Sequence, residues 1–169
     1  MNATNAINSM NATNLYNIAQ PLATMAERAP FQRAIVFPAG RDQQGRAKYI
    51  QFSFAQLNQL CDRYAHGLAG YGISRGQRVL LLVRQGVELV AITFALAKIG
   101  AVPVLIDPGM GRKAFLQCVA ETGPTAFIGI PLAHALRTLF PGTFKTINRN
   151  ITVGRRWFWG GATLAALRV

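Results

Sequence analysis

The chain has 169 residues, enough for one domain with a substantial core, and 51% of them are apolar, which excludes a wholly disordered protein. Its net charge is +12, from 18 Lys and Arg against 6 Asp and Glu. The basic residues are scattered, and no helix-turn-helix, zinc-finger or RNA-recognition signature accompanies them, so we do not predict a nucleic-acid partner.

The amino-terminal third begins with a polar tail. Residues 1–14 are rich in Asn and contain a direct repeat, but they lack the basic and apolar regions of a signal peptide, so we predict a disordered tail. A helix is predicted over 15–29, because Pro30 marks its end. Short strands are predicted at 34–37 and 49–52, joined by a polar loop rich in turn residues.

A clear helix is predicted to start after Ser53. Ser53 can accept from the first backbone N–H groups, and Gln56 stands at the capping-box position. Gly70 and Gly72 end the helix. Its apolar residues follow helical spacing: Phe54, Leu57, Leu60, Cys61, Tyr64, Ala65 and Leu68.

From residue 78 onward, predicted strands and helices alternate. The strands are 78–83, 102–106 and 125–130, and the helices are 87–99, 112–122 and 131–140. This order predicts an α/β fold with a parallel sheet, right-handed crossovers and strands buried on both faces. The apolar stretch 87–106 contains Lys98, Gly100 and Pro103, which favours a buried helix and strand over a transmembrane helix.

The carboxyl-terminal segment 141–169 is harder to interpret. Residues 151–153 could form a strand. Residues 155–163 mix cations, aromatic side chains and glycines. This mixture is typical of a membrane-surface or anion-binding segment, and equally of a connector whose aromatic side chains cover a core further along the chain. Both interpretations stay open.

One loop has the spacing of a phosphate-binding turn. Gly109, Gly111 and Ala114 fit G-x-G-x-x-A between a predicted strand and helix, where backbone N–H groups could meet a pyrophosphate, and Arg112 would reinforce an anion. However, no acidic residue follows Glu121 to bind a ribose, and the loop follows the second strand of its unit instead of the first. A tight strand-to-helix turn is therefore the favoured interpretation.

Asp107 stands at the carboxyl end of a predicted parallel strand, where such folds place their sites. An aspartate before Pro and Gly is also an ordinary turn residue. No second carboxylate, histidine or lysine is placed to work with it, so we predict no catalytic residue in this chain. Asp107, Gly109, Gly111 and Arg112 remain weak candidates for cofactor binding.

The cysteines and histidines indicate no metal site. Cys61 and Cys118 form no C-x-x-C pair and fall on apolar helix positions, so we predict buried free thiols in a reducing compartment, consistent with a cytoplasmic location. His66 and His134 lie far apart without ligand spacing.

Three segments resemble a known superfamily. FSFAQL at 52–57 is similar to the helix start (T/S)-(Y/F)-x-(E/Q)-L. LAGYGISRGQRV at 68–79 is similar to L-x-x-x-G-(I/V)-x-x-G-D-x-V, with Gln77 in place of the usual Asp. FALAKIGAVPV at 94–104 is similar to A-x-x-(K/R)-x-G-A-x-x-(V/P). Together they resemble the amino-terminal half of the acyl-CoA synthetases, fatty-acyl-AMP ligases and peptide-synthetase adenylation domains, over residues 15–140.

Three further segments are similar to the β-lactone synthetases of bacterial olefin biosynthesis, which are often labelled fatty-acid–CoA ligase or peptide synthase. They are AIVFP at 34–38, LIDPGMGR at 105–112 and VGRRWFWG at 153–160.

The resemblance implies a reaction. A fatty or β-hydroxy acid carboxylate attacks the α-phosphorus of ATP with the assistance of Mg²⁺, giving acyl-AMP and pyrophosphate. The substrate's own hydroxyl then closes a β-lactone and expels AMP, or a thiol such as coenzyme A accepts the acyl group.

The family places its working residues further along the chain. Its Ser/Thr- and Gly-rich phosphate loop ending in Pro-Lys has no counterpart among the 169 residues. We therefore predict a tail at 1–14, the amino-terminal portion of a ligase domain at 15–140, and a connector at 141–169 that ends before the phosphate loop. The fold would be an adenylate-forming domain incomplete at its carboxyl end and inactive alone. The alternative is a small basic module that binds an anion, a nucleotide or, peripherally, a membrane surface.

Overall fold

The structure, a computed structural model, describes residues 17–168, so the predicted tail lies outside the described range. The helices are α1 (Gln20–Arg28), α2 (Phe54–Gly70), α3 (Val87–Lys98), α4 (Arg112–Thr122) and α5 (Pro131–Leu139), with a short 3-10 turn at Pro108–Met110. The strands are β1 (Arg33–Arg41), β2 (Ala47–Ser53), β3 (Arg78–Leu82), β4 (Val102–Leu105), β5 (Ala126–Gly129), β6 (Arg149–Thr152) and β7 (Ala162–Thr163).

Five strands form one parallel sheet in the order β4-β3-β5-β6-β7. In its middle, Leu80 of β3 pairs with Phe127 of β5, and Ile128 pairs with Ile151 of β6. The predicted parallel α/β fold is therefore confirmed. β7 was not predicted, because two residues give no periodic pattern.

Helices cover both faces of the sheet. Val79 and Leu81 are buried against α2 and α3, whereas Leu80, between them, is buried with Phe127 against α4 and α5. This alternation follows from the pleat, which sends successive side chains to opposite faces. The result is a three-layer domain whose central strands, β3 and β5, are apolar on both sides.

The prediction that β4 is buried on both faces was wrong. Val102 is 45% exposed and Leu105 is 57% exposed. The reason is topological: β4 lies at one edge of the sheet and pairs only with β3. Pro103 within β4 suits an edge position, because proline donates no ladder hydrogen bond.

The amino-terminal elements differ from prediction in their lengths. Helix α1 begins at Gln20 instead of residue 15: Asn17 Oδ1 accepts from the Ala19 N–H at 2.9 Å, which forms a turn, and Pro21 fits the first helical turn. β1 and β2 pair antiparallel as a hairpin and extend further toward their turn than predicted. In that turn, Asp42 Oδ1 accepts from the Gln44 N–H at 2.9 Å.

The two cysteines are free. Cys61 is fully buried in α2, as predicted, and burial raises the pKa of its thiol to about 12. Cys118 on α4 is only half-buried, because α4 packs through Phe115 and Val119 on an adjacent face. No helix within residues 17–168 is long and apolar enough to cross a membrane.

The predicted capping box is confirmed. Ser53 Oγ accepts from the Gln56 N–H at 3.3 Å, and Gln56 Oε1 accepts from the Ser53 N–H at 3.0 Å. Replacing Ser53 with Ala should lower the free energy of unfolding by about 1 kcal/mol, because a helix N–H loses its acceptor. Urea unfolding measures the change, and Ser74→Ala at an exposed turn is the control. Equal stabilities of the two variants would contradict the capping role.

Candidate functional site

The carboxyl ends of β3, β4 and β5 meet at one edge of the sheet, since the three strands are parallel and neighbouring. The segment 83–86 leaves β3 there, the segment 106–111 leaves β4, and Ile130 connects β5 to α5. Such edges are where open α/β sheets bind ligands. This position is the one at which the sequence placed Asp107.

An open cleft of about 930 Å³ lies at this edge. Its lining is almost wholly apolar: Leu81, Leu82, Val83, Leu89, Leu105, Ile106, Pro108, Phe115, Ile130, Leu132, Ala133, Ala135, Leu136 and Leu139. The polar lining residues are Arg84, Gln85 and Asp107. Arg84 and Asp107 are exposed, so both charges lie toward solvent. An apolar cleft with a few polar groups suits a ligand with a long apolar part and a polar end.

The four candidate cofactor residues lie together in the loop between β4 and α4. Asp107 lines the cleft, whereas Gly109, Gly111 and Arg112 do not. Asp107 Oδ1 accepts from the Gly109 N–H at 2.8 Å and so closes the turn on itself. Gly111 has a φ of 91°, in the region that favours glycine, and directly precedes α4. These contacts are those of a strand-to-helix turn.

The Arg112 side chain points toward Phe140, which directly follows α5. Its guanidinium lies 6.0 Å from the centre of the Phe140 ring, the separation of a cation–π contact. Both groups contribute to packing between α4 and the end of α5. Whether any of the four loop residues binds a cofactor stays a prediction.

A buried polar cluster lies beside the cleft, and sequence reasoning missed it. His134 on α5 is fully buried, and its ring stacks on Trp159 with centroids 5.1 Å apart and an interplanar angle of 8°. Nε2 of His134 lies 3.1 Å from the carbonyl oxygen of Ile151. Because a carbonyl only accepts, Nε2 carries the proton and donates. Trp159 Nε1 donates to Thr152 Oγ1 at 3.0 Å.

Burial sets the charge of this cluster. It lowers the pKa of His134 from 6.5 to about 4, and the nearby positive charge of Arg137 acts in the same direction, while the hydrogen bond to Ile151 opposes both. The ring is therefore neutral at physiological pH. Among residues 17–168, no three His, Cys, Asp or Glu side chains come together in a group able to hold a metal ion.

Comparison with known proteins assigns the family. A sequence model described as "AMP-binding enzyme" matches residues 22–152, which is most of the chain. The chain belongs to the AMP-binding enzyme family.

Two relatives carry the name olefin beta-lactone synthetase. The chain is 48% identical to that of Stenotrophomonas maltophilia K279a over 153 residues, and 46% identical to that of Xanthomonas campestris pv. campestris over 154 residues. These alignments cover 89% and 90% of this chain and 28% of each relative. The chain thus spans little more than a quarter of the length of the curated relatives it matches.

Solved structures share the fold. A long-chain-fatty-acid-CoA ligase (FadD1) from Archaeoglobus fulgidus matches with a TM-score of 0.72 at 17% identity, over 90% of this chain and 29% of the ligase. The anthranilate CoA ligase AuaEII, crystallised with anthranoyl-AMP, matches with a TM-score of 0.69 at 18% identity, over 90% of this chain and 27% of that one. This chain therefore has the architecture of one part of a larger adenylate-forming enzyme.

Proposed function

We propose that this protein serves as the amino-terminal scaffold of an AMP-forming ligase that activates a fatty-acid-type carboxylic acid. ATP with Mg²⁺ would be the cofactor, and coenzyme A or the substrate's own β-hydroxyl would be the acyl acceptor. Family membership and the similarity to two β-lactone synthetases support this function. So does 32% identity over 106 residues to a long-chain-fatty-acid–CoA ligase, FadD13, of Mycobacterium tuberculosis, which covers 62% of this chain and 21% of the ligase.

The observation that carries the proposal is the apolar cleft. Its volume of about 930 Å³ lies within the usual range for ligand sites, roughly 300–1,000 Å³, and leucine side chains dominate its lining. Burying a methylene group contributes about 0.8 kcal/mol, so an alkyl chain laid along Leu132, Leu136 and Leu139 would gain affinity with each carbon. We propose that the acyl tail lies there, with its polar end toward Arg84.

The described residues do not form a site for ATP and Mg²⁺ by themselves. Asp107 Oδ1 already accepts from Gly109, the guanidinium of Arg112 lies over Phe140, and no group of three metal-ligating side chains occurs within 17–168. We therefore assign no step of adenylation to this chain. Its proposed part is to hold the acid and to support the segments that would complete the site.

The proposed domain division is a ligase portion at 15–140 followed by a connector at 141–169. β6 and β7 lie in that connector and pair within the same sheet, so the connector would also extend the scaffold. A cytoplasmic location fits the two free cysteines.

ATP–pyrophosphate exchange tests the function. We expect none from the 169-residue chain with long-chain acids. A chimera in which this chain replaces the matching quarter of the Stenotrophomonas enzyme should exchange, because the scaffold is proposed to be equivalent. Leu136→Asp in the chimera should raise the KM for the acid by about tenfold or more and leave the KM for ATP unchanged, since it places a charge in the cleft.

Phe31→Asp is the matched control, because Phe31 is 92% exposed and does not line the cleft. A folded chimera without exchange activity would refute the scaffold role. An active chimera in which Leu136→Asp leaves the KM for the acid unchanged would refute the acyl site alone. Exchange by the unfused 169-residue chain would show that it carries the catalytic groups itself.

A further inference from the structure

The segment between β6 and β7 presents two large aromatic side chains to solvent. Trp157 is 58% exposed and Phe158 is 79% exposed, and the preceding Arg155 and Arg156 are exposed as well. We call these four consecutive residues the aromatic tip. None of them lines the apolar cleft, so the tip is a separate surface.

The residue that follows the tip fixes it to the domain. Trp159 is only 5% exposed, because its ring stacks on His134 and its N–H donates to Thr152 at the end of β6. Phe158 packs edge-on against the Trp159 ring, with centroids 5.1 Å apart. The buried polar cluster thus anchors the tip at its carboxyl end.

Glycines shape both ends of the segment. Gly154 and Gly161 have φ values of 96° and 107°, which favour glycine, and the Arg156 guanidinium donates to the Gly161 carbonyl. At Gly161 an added Cβ would lie 2.2 Å from the Asn150 carbonyl oxygen, so only glycine allows this approach to β6. The close approach at Gly161 therefore ties the carboxyl end of the segment to β6.

The carboxyl-terminal part of the sequence, which contains the tip, is one-sidedly basic. No acidic residue follows Glu121, whereas six basic residues do: Arg137, Lys145, Arg149, Arg155, Arg156 and Arg168. The whole chain carries +12. A partner that meets exposed aromatic rings and cations together must offer both an apolar layer and negative charge at its surface.

We propose that the aromatic tip inserts into the headgroup region of an anionic lipid bilayer. Indole and phenyl rings favour the boundary between headgroups and acyl chains, and neighbouring arginines bind anionic headgroups. A lipid surface satisfies both requirements. Unpaired nucleic-acid bases can also stack on exposed rings, but no helix-turn-helix, zinc-finger or RNA-recognition signature accompanies this segment. The proposal does not depend on ligase activity.

Vesicle sedimentation of the 169-residue chain tests the proposal. We expect binding to phosphatidylglycerol vesicles at low salt and weak binding to phosphatidylcholine vesicles. Trp157→Ala with Phe158→Ala should weaken binding by about tenfold or more, because both inserted rings are lost. Arg155→Gln with Arg156→Gln should remove the preference for phosphatidylglycerol. Phe31→Ala removes an exposed ring elsewhere and should change nothing.

Fluorescence gives a second readout. Trp157 and Trp159 are the two tryptophans of the chain. Brominated lipid should quench the protein's emission, and Trp157→Phe should abolish most of this quenching, since Trp159 stays buried in the domain.

Three outcomes would overturn the proposal. They are no binding to either vesicle, binding that the double aromatic variant leaves unchanged, and binding to RNA or heparin that competes with vesicles and depends on the arginines alone. The last outcome would make the segment a polyanion site. Thermal unfolding of each variant confirms that the fold is retained, which is expected because the substituted side chains are exposed.

Discussion

Replacing Phe127 with alanine should lower the free energy of unfolding by about 3–5 kcal/mol. Phe127 is fully buried in β5, a central strand, and its ring contacts His134 at 4.7 Å and Phe144 at 6.1 Å between centroids. The truncation removes a large apolar side chain and leaves a cavity among rings that cannot all move inward. Urea unfolding monitored by circular dichroism measures the loss.

The control for Phe127 is Phe31→Ala. Phe31 is 92% exposed, so its truncation should change stability by no more than about 0.5 kcal/mol. If both variants lost the same small amount of unfolding free energy, the layer between the sheet and helices α4 and α5 would not be a packed core. A loss confined to Phe127→Ala would show that this layer is a packed core.

The sequence predicted the sheet because its central strands carry continuous apolar runs. Residues of β3 and β5 are apolar on both faces, and each strand is followed by a helix with a defined boundary, which is Gly100 after α3 and Pro131 at the start of α5. The burial of β4 could not be predicted in the same way. Its apolar run has the pattern of a central strand, and only the strand order reveals that it lies at an edge.

The candidate site was predictable in position but not in form. Asp107 indicated the carboxyl edge of the sheet, and the structure places it there. The cleft is formed by the segments that follow three different strands together with α5. A local sequence pattern does not predict that these segments meet. His134 was equally hidden, because an isolated histidine in sequence gives no sign that Trp159, twenty-five residues later, will cover it.

The stability of the domain should fall as the pH is lowered from 6.5 toward 4, because of His134. Burial holds the pKa of this imidazole at about 4 in the folded state, against 6.5 as its ordinary value. The unfolded chain therefore binds a proton that the folded chain rejects. The part of the unfolding free energy that depends on a neutral His134 is fully present above pH 6.5 and is lost progressively as the pH falls to 4. It amounts to about 3 kcal/mol.

Two measurements separate His134 from the other titrating groups. The first is the pH dependence of the unfolding free energy for the native chain and for His134→Gln, because their difference cancels the carboxylates that both contain. The second is a proton NMR titration of His66→Gln, in which His134 is the sole remaining histidine.

We expect the remaining imidazole to titrate near pH 4 and the native chain to lose more stability than His134→Gln below pH 6.5. A titration midpoint near 6.5 would mean that water reaches the ring. In that case the stack on Trp159 would not be closed, and the anchoring of the aromatic tip would fail with it. A proton added to the ring would place a positive charge inside this buried cluster, which burial disfavours. Protonation should therefore loosen Trp159 first, and the emission of its indole should shift to the red before the sheet unfolds.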